Sequence, residues 1–452
     1  MIFRRASREA SGTIESMQAR TQSRSTPILQ STTGLVTGPV ALTDDEMEQH
    51  TEQHRPTHRS VAGPGGIQHR RAPVLRIALV TNHPPPFRIP VYERIAALPD
   101  VEMYGIFCSR REPNREWEVP PLAFNHLFLK ERFVARGSNF IHNNPDVFAT
   151  LRRIAPDVIV TTGFNPTHLY AFGYALSHRI PHVPMTDGTD ISEQALSRVH
   201  TLIRRFVYSR SSAYIAASRG GLRLYRSYDI APEHCFQSCL CIDNAAYLEN
   251  DVAPPRFDLM FCGRMVTEKN PGFALHVAAS LAMRLGRTVR ILFVGSGDSE
   301  AAVRALAAAR PGLVEAEFHG HASQTELPAL YRSARLFLFP TQADVWGVVA
   351  NEACAAGLPI LVSPHAGVAG ELIVDGENGY VCELDVELWA DRAARLLSDE
   401  ALYRRFAEHS RALVRRYTFE HAATGIVDAC RYAAMRHGAG HIDTSHGTIG
   451  RS

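Results

Sequence analysis

Apolar and polar positions alternate in blocks along most of this chain. Short, nearly continuous apolar runs, typical of buried strands, are separated by stretches with apolar residues at helical spacing. The first series of such blocks extends from Val74 to about Ser218 and includes the runs VLRIALV, DVIVTT and AYIAAS. Because apolar strands that alternate with helices form parallel sheets covered on both faces, this series predicts a doubly wound α/β domain.

The alternation stops near AAYLENDVAPP, which ends at Pro255, and then begins again. The second series contains the strand patterns FDLMFCG, RILFVGSG, VEAEFHG, ARLFLFP, PILVS and GYVCE. We therefore predict two Rossmann-like domains that face each other across a cleft. Ligands of open parallel sheets bind outside the carboxyl ends of the strands, so the loops at these ends should line the cleft. They are 81–90, 163–166, 187–190, 263–270, 295–298 and 341–347.

These patterns divide the chain into five predicted segments. Residues 1–72 are rich in Ser, Thr, Gln, Arg, Gly and His without apolar periodicity, so we expect them to be disordered. The remaining segments are a first domain at 73–250, a second domain at 251–415, a C-terminal helix at 416–436 and a disordered tail at 437–452. The C-terminal helix is a candidate to cross back to the first domain.

Charge and cysteine content narrow the class of protein. The chain has 452 residues, of which 48 are basic and 46 acidic, and the resulting charge of +2 provides no overall field that would attract nucleic acid. Eight cysteines are scattered, mostly within apolar patterns, which favours reduced thiols in the cytoplasm. No apolar segment approaches the roughly 18 residues that cross a bilayer, and no secretory signal is visible.

Two strand-to-helix junctions of the second domain could bind phosphate. In GRMVTEKNP, Gly263 is followed by Arg264 and Lys269, which offer a forked donor and a point charge to a diphosphate. In VGSGD, Gly295 and Gly297 would let the backbone approach an anion. Taken alone, the first motif is more often a pair of solvated charges, and the second could equally be a tight turn.

The third junction, FPTQADVWGVVANEACAAG, carries two carboxylates. We expect a helix to begin at about Val345, so that the amides of Trp346, Gly347 and Val348 could bind a phosphate or sugar oxygen beside Asp344. Glu352, eight residues later, would lie two turns along the same helix face. The alternative is that Asp344 caps the helix and Glu352 is structural. Among its apolar neighbours Glu352 should be buried, and a buried carboxylate requires hydrogen-bond donors.

The second half of the chain resembles the nucleotide-sugar domain of the family 4 retaining glycosyltransferases of the GT-B fold. The resemblance rests on GRMVTEKN, FVGSGD, ARLFLFPT, DVWGVVANEACAAGLPILVS and GELIVDGENGYV, in this order between residues 255 and 398. It implies that Arg264 and Lys269 hold the donor diphosphate, that Glu352 binds the ribose, and that Asp344 and the amides of 346–348 bind the transferred sugar. Glu371 would be a donor-side residue that orders the backbone. Asp344 stands where the family mostly has Glu, which is one methylene longer.

The first half resembles the family less sharply. TNHPPPFRIPVYERI is similar to the acceptor-side first loop of a bacterial subgroup, which makes His83 and Arg88 acceptor-side candidates. For both residues, stabilisation of the loop is the favoured alternative to a catalytic role. We place Asp187, after the strand HVPMTD, among the catalytic candidates, with capping of the next helix as its alternative.

The resemblance implies transfer of a sugar from a nucleotide-diphosphate donor to a hydroxyl of a glycan or lipid-linked acceptor, in bacterial polysaccharide, lipid-linked glycan or glycolipid synthesis. We expect no metal or other cofactor, because two cations already face the phosphates. The alternatives are a sugar-nucleotide epimerase or sugar phosphorylase of the same fold, and a non-catalytic nucleotide-sugar-binding protein. The basic segment RVHTLIRRF at 198–206 also suggests a peripheral contact with the inner face of the plasma membrane.

Overall fold

The computed structural model describes residues 74–113, 119–136, 139–194, 196–248 and 254–443. The segment predicted as disordered, 1–72, lies outside the described residues.

The first domain is built on a seven-stranded parallel sheet of order β3-β2-β1-β6-β7-β8-β9. Its strands are β1 Leu75–Thr81, β2 Val101–Phe107, β3 Asn125–Phe128, β6 Val158–Thr161, β7 His182–Thr186, β8 Tyr214–Ala216 and β9 Cys235–Gln237. A separate antiparallel hairpin consists of β4 Phe133–Arg136 and β5 Asn139–His142. The helices are α1 Ile89–Ala96, α2 Val147–Ile154, α3 Pro166–Ser177, α4 Arg198–Tyr208 and α5 Arg219–Arg226.

The second domain is built on a six-stranded parallel sheet of order β12-β11-β10-β13-β14-β15. Its strands are β10 Phe257–Cys262, β11 Val289–Val294, β12 Val314–Gly320, β13 Ala334–Phe339, β14 Ile360–Val362 and β15 Gly379–Val381. Its helices are α6 Pro271–Leu285, α7 Glu300–Ala308, α8 Leu327–Arg332, α9 Val348–Ala356, α10 Val386–Ser398 and α11 Glu400–Val414. Short 3-10 helices occur at Pro232–His234, Asn244–Tyr247 and Thr267–Lys269.

Strand β10 shows why its sequence is apolar throughout. Side chains of a strand alternate between the two faces of a sheet. Leu259 and Phe261 accordingly pack into the cluster formed with helices α6 and α10, while Met260 and Cys262 pack into the cluster on the opposite face, formed with α9. Helices thus cover both faces, and the predicted doubly wound architecture is confirmed.

The last helix, α12 Phe419–Asp443, leaves the second domain and packs against the first. Ala422, Ile426 and Cys430 are buried in one cluster with Ile77 of β1 and Ile95 of α1. The helix continues through residues 437–443, which we had predicted to belong to the disordered tail, because extending an existing helix requires no new nucleus. Residues 444–452 lie outside the described residues.

Candidate functional site

Loops that follow β10 and β11 are in direct contact. The Met265 amide donates to the Ser296 carbonyl at 2.7 Å, and the Ser299 amide donates to the Met265 carbonyl at 2.8 Å. A Cβ atom at Gly295 would lie 2.1 Å from the Gly263 carbonyl oxygen, and one at Gly297 would lie 2.5 Å from that of Met265. Both glycines, with φ of 118° and 151°, are therefore required by the contact between the loops. Their predicted contact with the donor, like that of Gly263, stays a prediction.

The loop after β13 brings the first carboxylate onto the same site. Lys269 Nζ donates to Asp344 Oδ2 at 2.7 Å and to the Ala343 carbonyl at 3.1 Å. The two loops are also joined by the Gln342 amide, which donates to the Glu268 carbonyl at 2.7 Å. The side chains of Lys269 and Asp344 keep 17% and 20% of their exposure, so this ion pair lies at the surface of the loops, where a ligand can reach it.

Arg264 lies on the same loop as Lys269, five residues earlier. Its side chain is exposed, and no salt bridge of the described residues includes it. A guanidinium presents several N–H donors in a planar fork that matches a phosphate group. Arg264 and Lys269 therefore bring two positive charges to one edge of the second domain.

The structure corrects the predicted start of the helix at this junction. Helix α9 begins at Val348, with Gly347 as its N-cap, so Asp344 precedes the helix and does not cap it. Asp344 Oδ1 instead accepts a hydrogen bond from the Trp346 amide at 3.1 Å. Gly347 has φ of 103°, and a Cβ there would lie 2.2 Å from the Phe339 ring. The prediction of a helix from Val345 was wrong, because the chain first makes a turn that requires this glycine.

This turn changes which amides are available to a ligand. The Trp346 amide already donates to Asp344, and the indole is buried, with Nε1 donating to Asn351 Oδ1 at 2.8 Å. Trp346 therefore stabilises the turn, and its predicted contact with the donor stays a prediction. The Val348 amide, in the first turn of α9, lies where helix amides have no intrahelical partner, so its predicted contact remains open.

Glu352 is buried, with 5% of its surface exposed, and its Oε2 accepts a hydrogen bond from the Tyr331 hydroxyl at 2.8 Å. Burial raises the pKa of Glu352 to about 7, although the Tyr331 hydrogen bond opposes this change. No salt bridge among the described residues compensates its charge. The argument that Asp344 and Glu352 share one helix face was wrong, since only Glu352 lies in the helix.

Glu371 contacts the first domain. Its Oε2 accepts a hydrogen bond from the Arg219 amide at 2.8 Å, and its Oε1 accepts one from Gln237 Nε2 at 3.2 Å. Both partners precede the linker between the domains, whereas Glu371 follows β14. Glu371 therefore makes a contact between the domains, and its predicted donor-side role stays a prediction.

On the acceptor side, Arg88 is a buried structural residue. Its guanidinium donates to the carbonyl and hydroxyl oxygens of Ser238, at 3.1 and 2.9 Å, and to the Cys239 carbonyl at 3.2 Å. It also donates to Asp187 Oδ1 at 2.9 Å. Arg88 is only 2% exposed, so it stabilises the loop and does not line the cleft. Asp187 keeps 43% of its side-chain exposure and is held in place by Arg88.

His83 belongs to a cluster that the sequence did not reveal. His142 Nε2 hydrogen-bonds to Glu112 Oε1 at 3.0 Å, and His83 Nδ1 lies 3.7 Å from the same oxygen. Burial alone would raise the pKa of Glu112, but the hydrogen bonds with His142 and His83 lower it to about 2. Sequence analysis did not identify Glu112 or His142, because no local pattern marks these residues. Hairpin β4–β5, which carries His142, was not predicted either. Within the described ranges, no group of three or more His, Cys, Asp or Glu side chains could hold a metal ion.

Two parallel sheets, each covered by helices, with a last helix that crosses back to the first domain, are the architecture of the GT-B fold. A glycosyltransferase from Rickettsia africae ESF-5 superposes with a TM-score of 0.62 at 14% identity, over 80% of this chain and 98% of that chain. Anabaena Alr3699/HepE, solved in complex with UDP and glucose, superposes with a TM-score of 0.60 at 14% identity, over 78% of this chain and 98% of that chain. These likenesses confirm the predicted fold.

Sequence comparison places the second domain more narrowly. Residues 249–413 match the family model of the glycosyl transferases group 1. D-inositol 3-phosphate glycosyltransferase from Nocardia farcinica is 30% identical over 203 residues, which are 43% of this chain and 45% of that protein. Glycogen synthase from Mycobacterium tuberculosis is 32% identical over 158 residues, 34% of this chain and 37% of that protein. The chain spans less than half the length of these curated relatives.

Proposed function

We propose that this protein is a retaining glycosyltransferase of family 4, which transfers a sugar from a nucleotide-diphosphate donor to an acceptor hydroxyl. The observation that carries the proposal is the ion pair of Lys269 and Asp344 at the carboxyl edge of the second sheet. The exposed Arg264 lies on the same loop as Lys269, and the carboxylate of Glu352 is buried in the helix that follows Asp344. Support comes from the match of residues 249–413 to the glycosyl transferases group 1, and from the UDP and glucose bound in the HepE structure.

In the proposed reaction the bond between the anomeric carbon and the diphosphate oxygen breaks, and a bond to the acceptor oxygen forms. Negative charge increases on the departing diphosphate, so Arg264 and Lys269 stabilise the transition state more than the bound donor. Asp344 holds Lys269 in place through the 2.7 Å ion pair. Glu352 accepts hydrogen bonds from the ribose hydroxyls. The diphosphate and the ribose of the donor are thereby held by charged side chains that are already in place when the donor binds.

On the opposite side of the cleft, Asp187 is the proposed partner of the acceptor hydroxyl. Its second carboxylate oxygen is available to accept a hydrogen bond, since Arg88 binds Oδ1 and 43% of the side chain is exposed. His83 remains an acceptor-side candidate through its place beside Glu112. The acceptor proton leaves with the departing diphosphate or passes to Asp187, which balances the transfer.

A panel of nucleotide sugars tests this function. The first step is thermal stabilisation of the full chain by UDP and by each nucleotide sugar, and the second is turnover of the stabilising donor. Lys269→Ala and Arg264→Ala should each lower turnover by about tenfold to a hundredfold, which corresponds to about 1.4 to 2.7 kcal/mol of transition-state stabilisation. Arg404→Ala, on the exposed face of α11, is the matched control for loss of a positive charge.

Unchanged turnover in Lys269→Ala and Arg264→Ala would contradict the assignment of the diphosphate site. Sugar release that depends on inorganic phosphate and not on nucleotide would instead indicate a phosphorylase. Stabilisation by a nucleotide sugar without product formation from any acceptor extract would indicate a binding protein.

We propose further that helix α4 binds the surface of an anionic membrane. Its outer face exposes Val199, Leu202 and Phe206, at 65%, 68% and 49%, and this spacing places them on one side of the helix. Arg198 and Arg205 are also exposed, and the helix contains no acidic residue. An apolar stripe beside arginines fits lipid chains below anionic head groups. No helix of the described residues is long and apolar enough to cross a membrane.

Flotation with vesicles tests this contact separately from catalysis. Arg204 is unsuitable for charge reversal, because it pairs with Glu193 at 2.7 Å and is largely buried. The double variant Arg198→Glu and Arg205→Glu should abolish flotation with vesicles of equal phosphatidylglycerol and phosphatidylcholine. The reversal of Arg404 and Arg405, exposed on α11, is the control and should float normally. Absence of wild-type flotation, or equal flotation with pure phosphatidylcholine, would refute the proposal.

A further inference from the structure

The two domains are joined by a polar contact at Glu371 in addition to the linker. This single carboxylate binds two separate parts of the first domain, the Arg219 amide at 2.8 Å and the Gln237 side chain at 3.2 Å. Arg219 begins helix α5, and Gln237 ends strand β9. Both oxygens of Glu371 are therefore engaged, and a change in the position of one domain relative to the other would break at least one hydrogen bond.

The first turn of helix α5 is well suited to receive this carboxylate. Its N-cap residue, Ser218, uses its hydroxyl to accept a hydrogen bond from the Gly221 amide at 3.1 Å. Ser218 thus satisfies the amide of Gly221, three residues further along, while Glu371 satisfies the Arg219 amide. The N-terminal end of a helix carries a partial positive charge, which favours a carboxylate from another part of the chain.

The segment that carries Glu371 is also bound to the proposed donor site. The Gly367 amide donates to the Asp344 carbonyl at 2.9 Å, and the Asp344 amide donates to the His365 carbonyl at 3.2 Å. The contact is close, since a Cβ atom at Gly367 would lie 1.9 Å from the Val345 carbonyl oxygen. The turn that contains Asp344 and the segment that ends at Glu371 are therefore joined by backbone hydrogen bonds on both sides of Asp344.

These contacts form a continuous connection between the charged residues of the donor site and the first domain. Lys269 pairs with Asp344, Asp344 is bound to the segment before Glu371, and Glu371 binds helix α5. We propose that Glu371 is a positioning residue, which fixes the first domain relative to the donor site so that the acceptor side faces the bound sugar. This inference rests on the proposed function, because it assigns Glu371 a part in the same transfer.

Glu371 differs from the other polar contacts between the domains in what it connects. Asn351 donates to the Leu240 carbonyl at 3.2 Å, and Asn244 donates to the Val414 and Tyr417 carbonyls at 3.1 Å. Leu240 and Asn244 belong to the chain that leads into the linker and must stay near it in any arrangement. Glu371 reaches helix α5, which is not part of that connection, so its contact can be gained or lost when the domains move.

The test combines hydrogen exchange, kinetics and a distance between the domains. In Glu371→Ala the Arg219 amide should exchange at least tenfold faster, and turnover with the donor identified above should fall at least tenfold. The KM for the donor should change by less than threefold, because Arg264, Lys269 and Glu352 remain. Glu371→Gln, which keeps an oxygen for the Arg219 amide, should recover part of both effects. Glu377→Ala, an exposed carboxylate nearby, is the control and should behave as the wild type.

Double electron–electron resonance between spin labels at the exposed positions Arg152 and Arg404 reports the relative placement of the domains. With UDP as the probe, the wild type should give a narrower distance distribution than Glu371→Ala. Equal distributions and equal Arg219 exchange in both proteins would overturn the proposal, and so would a reduced turnover that arises from KM alone. Failure of the wild type to bind UDP or to turn over any donor would refute the proposed function, whereas the exchange of Arg219 would still decide whether Glu371 holds the domains together.

Discussion

Replacement of Glu352 by Gln is expected to stabilise the protein at alkaline pH. Burial raises the pKa of Glu352 from an ordinary 4.5 to about 7, so the folded state binds a proton more tightly than the unfolded chain. The favourable contribution of this carboxyl is therefore fully present below about pH 4.5 and is lost as the pH rises through about 7. At about 1.36 kcal/mol for each pH unit, the loss amounts to about 3 kcal/mol above pH 8. Gln keeps an oxygen for the Tyr331 hydroxyl and carries no charge.

The assay is thermal unfolding of the wild type and Glu352→Gln between pH 4.5 and 8.5. Their difference isolates this carboxyl, because other titrating groups are common to both proteins. For a domain of this size, about 3 kcal/mol corresponds to a rise of about 6 to 12 °C in the Tm of the variant at pH 8.5, with little difference at pH 4.5. Tyr331→Phe is the opposite control, because removal of the hydroxyl should raise the pKa of Glu352 further and steepen the alkaline loss.

If Glu352→Gln follows the same pH dependence as the wild type, the carboxyl is not the uncompensated buried charge that the structure indicates, and the reasoning fails. The proposed function adds a second expectation. UDP should stabilise the wild type more than Glu352→Gln at pH 8, since the ribose hydroxyls would donate to the ionised carboxylate. A Glu352→Gln variant that is more stable but binds UDP more weakly would show that the carboxylate destabilises the fold and also contributes to UDP binding.

Other perturbations test the supporting structure. Gly295→Ala should lower the free energy of unfolding by more than about 3 kcal/mol, because its Cβ would overlap the Gly263 carbonyl. Gly286→Ala is the control and should cost only about 1 kcal/mol, because Gly286 has φ of 63° and open space around it. Equal Tm values of the two variants would contradict this reasoning. Glu112→Gln should lower the free energy of unfolding by about 2 kcal/mol at pH 7. This difference should shrink as the pH falls from about 4.5 to 2, because the wild-type carboxyl then gains its proton. A difference in Tm that stays constant over this pH range would contradict the lowered pKa. Asp344→Glu should strengthen donor-induced stabilisation if the carboxylate contacts the sugar, and an unchanged Tm shift would leave Asp344 only as the partner of Lys269.

The long apolar strands could be located from sequence because a continuous run of apolar residues is visible without knowledge of the tertiary structure. Strands β10 and β13, for example, begin at the predicted residues, Phe257 and Ala334. The elements that sequence analysis missed are β3, β4, β5 and β9, which are only three or four residues long. Asn125 and His126 of β3 are exposed at the edge of the sheet, so no apolar alternation marks them. Such strands form because they pair with a neighbouring strand through hydrogen bonds, and this pairing cannot be predicted from their own residues.

The candidate site was predictable to the extent that topology alone fixes it. The carboxyl ends of parallel strands meet at one edge of a sheet, which was enough to bring the loops of Lys269 and Asp344 together. The roles of Arg88 and Glu371 depend on partners far along the chain, Ser238 and Arg219, and no periodic pattern connects them. For the same reason the cluster of Glu112, His83 and His142 was invisible before the structure.

The two carboxylates that follow β13, Asp344 in a turn and Glu352 in helix α9, differ in how their charge is compensated. Asp344 lies in a turn, forms an ion pair with Lys269 at 2.7 Å and accepts a hydrogen bond from the Trp346 amide. Its charge is therefore compensated within the protein. Glu352 lies in the helix, is buried and receives one hydroxyl hydrogen bond from Tyr331. A carboxylate whose burial is only partly compensated destabilises the fold, and such groups typically occur where a ligand supplies the missing donors. In the proposed function, Asp344 accordingly positions the charge of Lys269, and the ribose hydroxyls supply hydrogen-bond donors to Glu352.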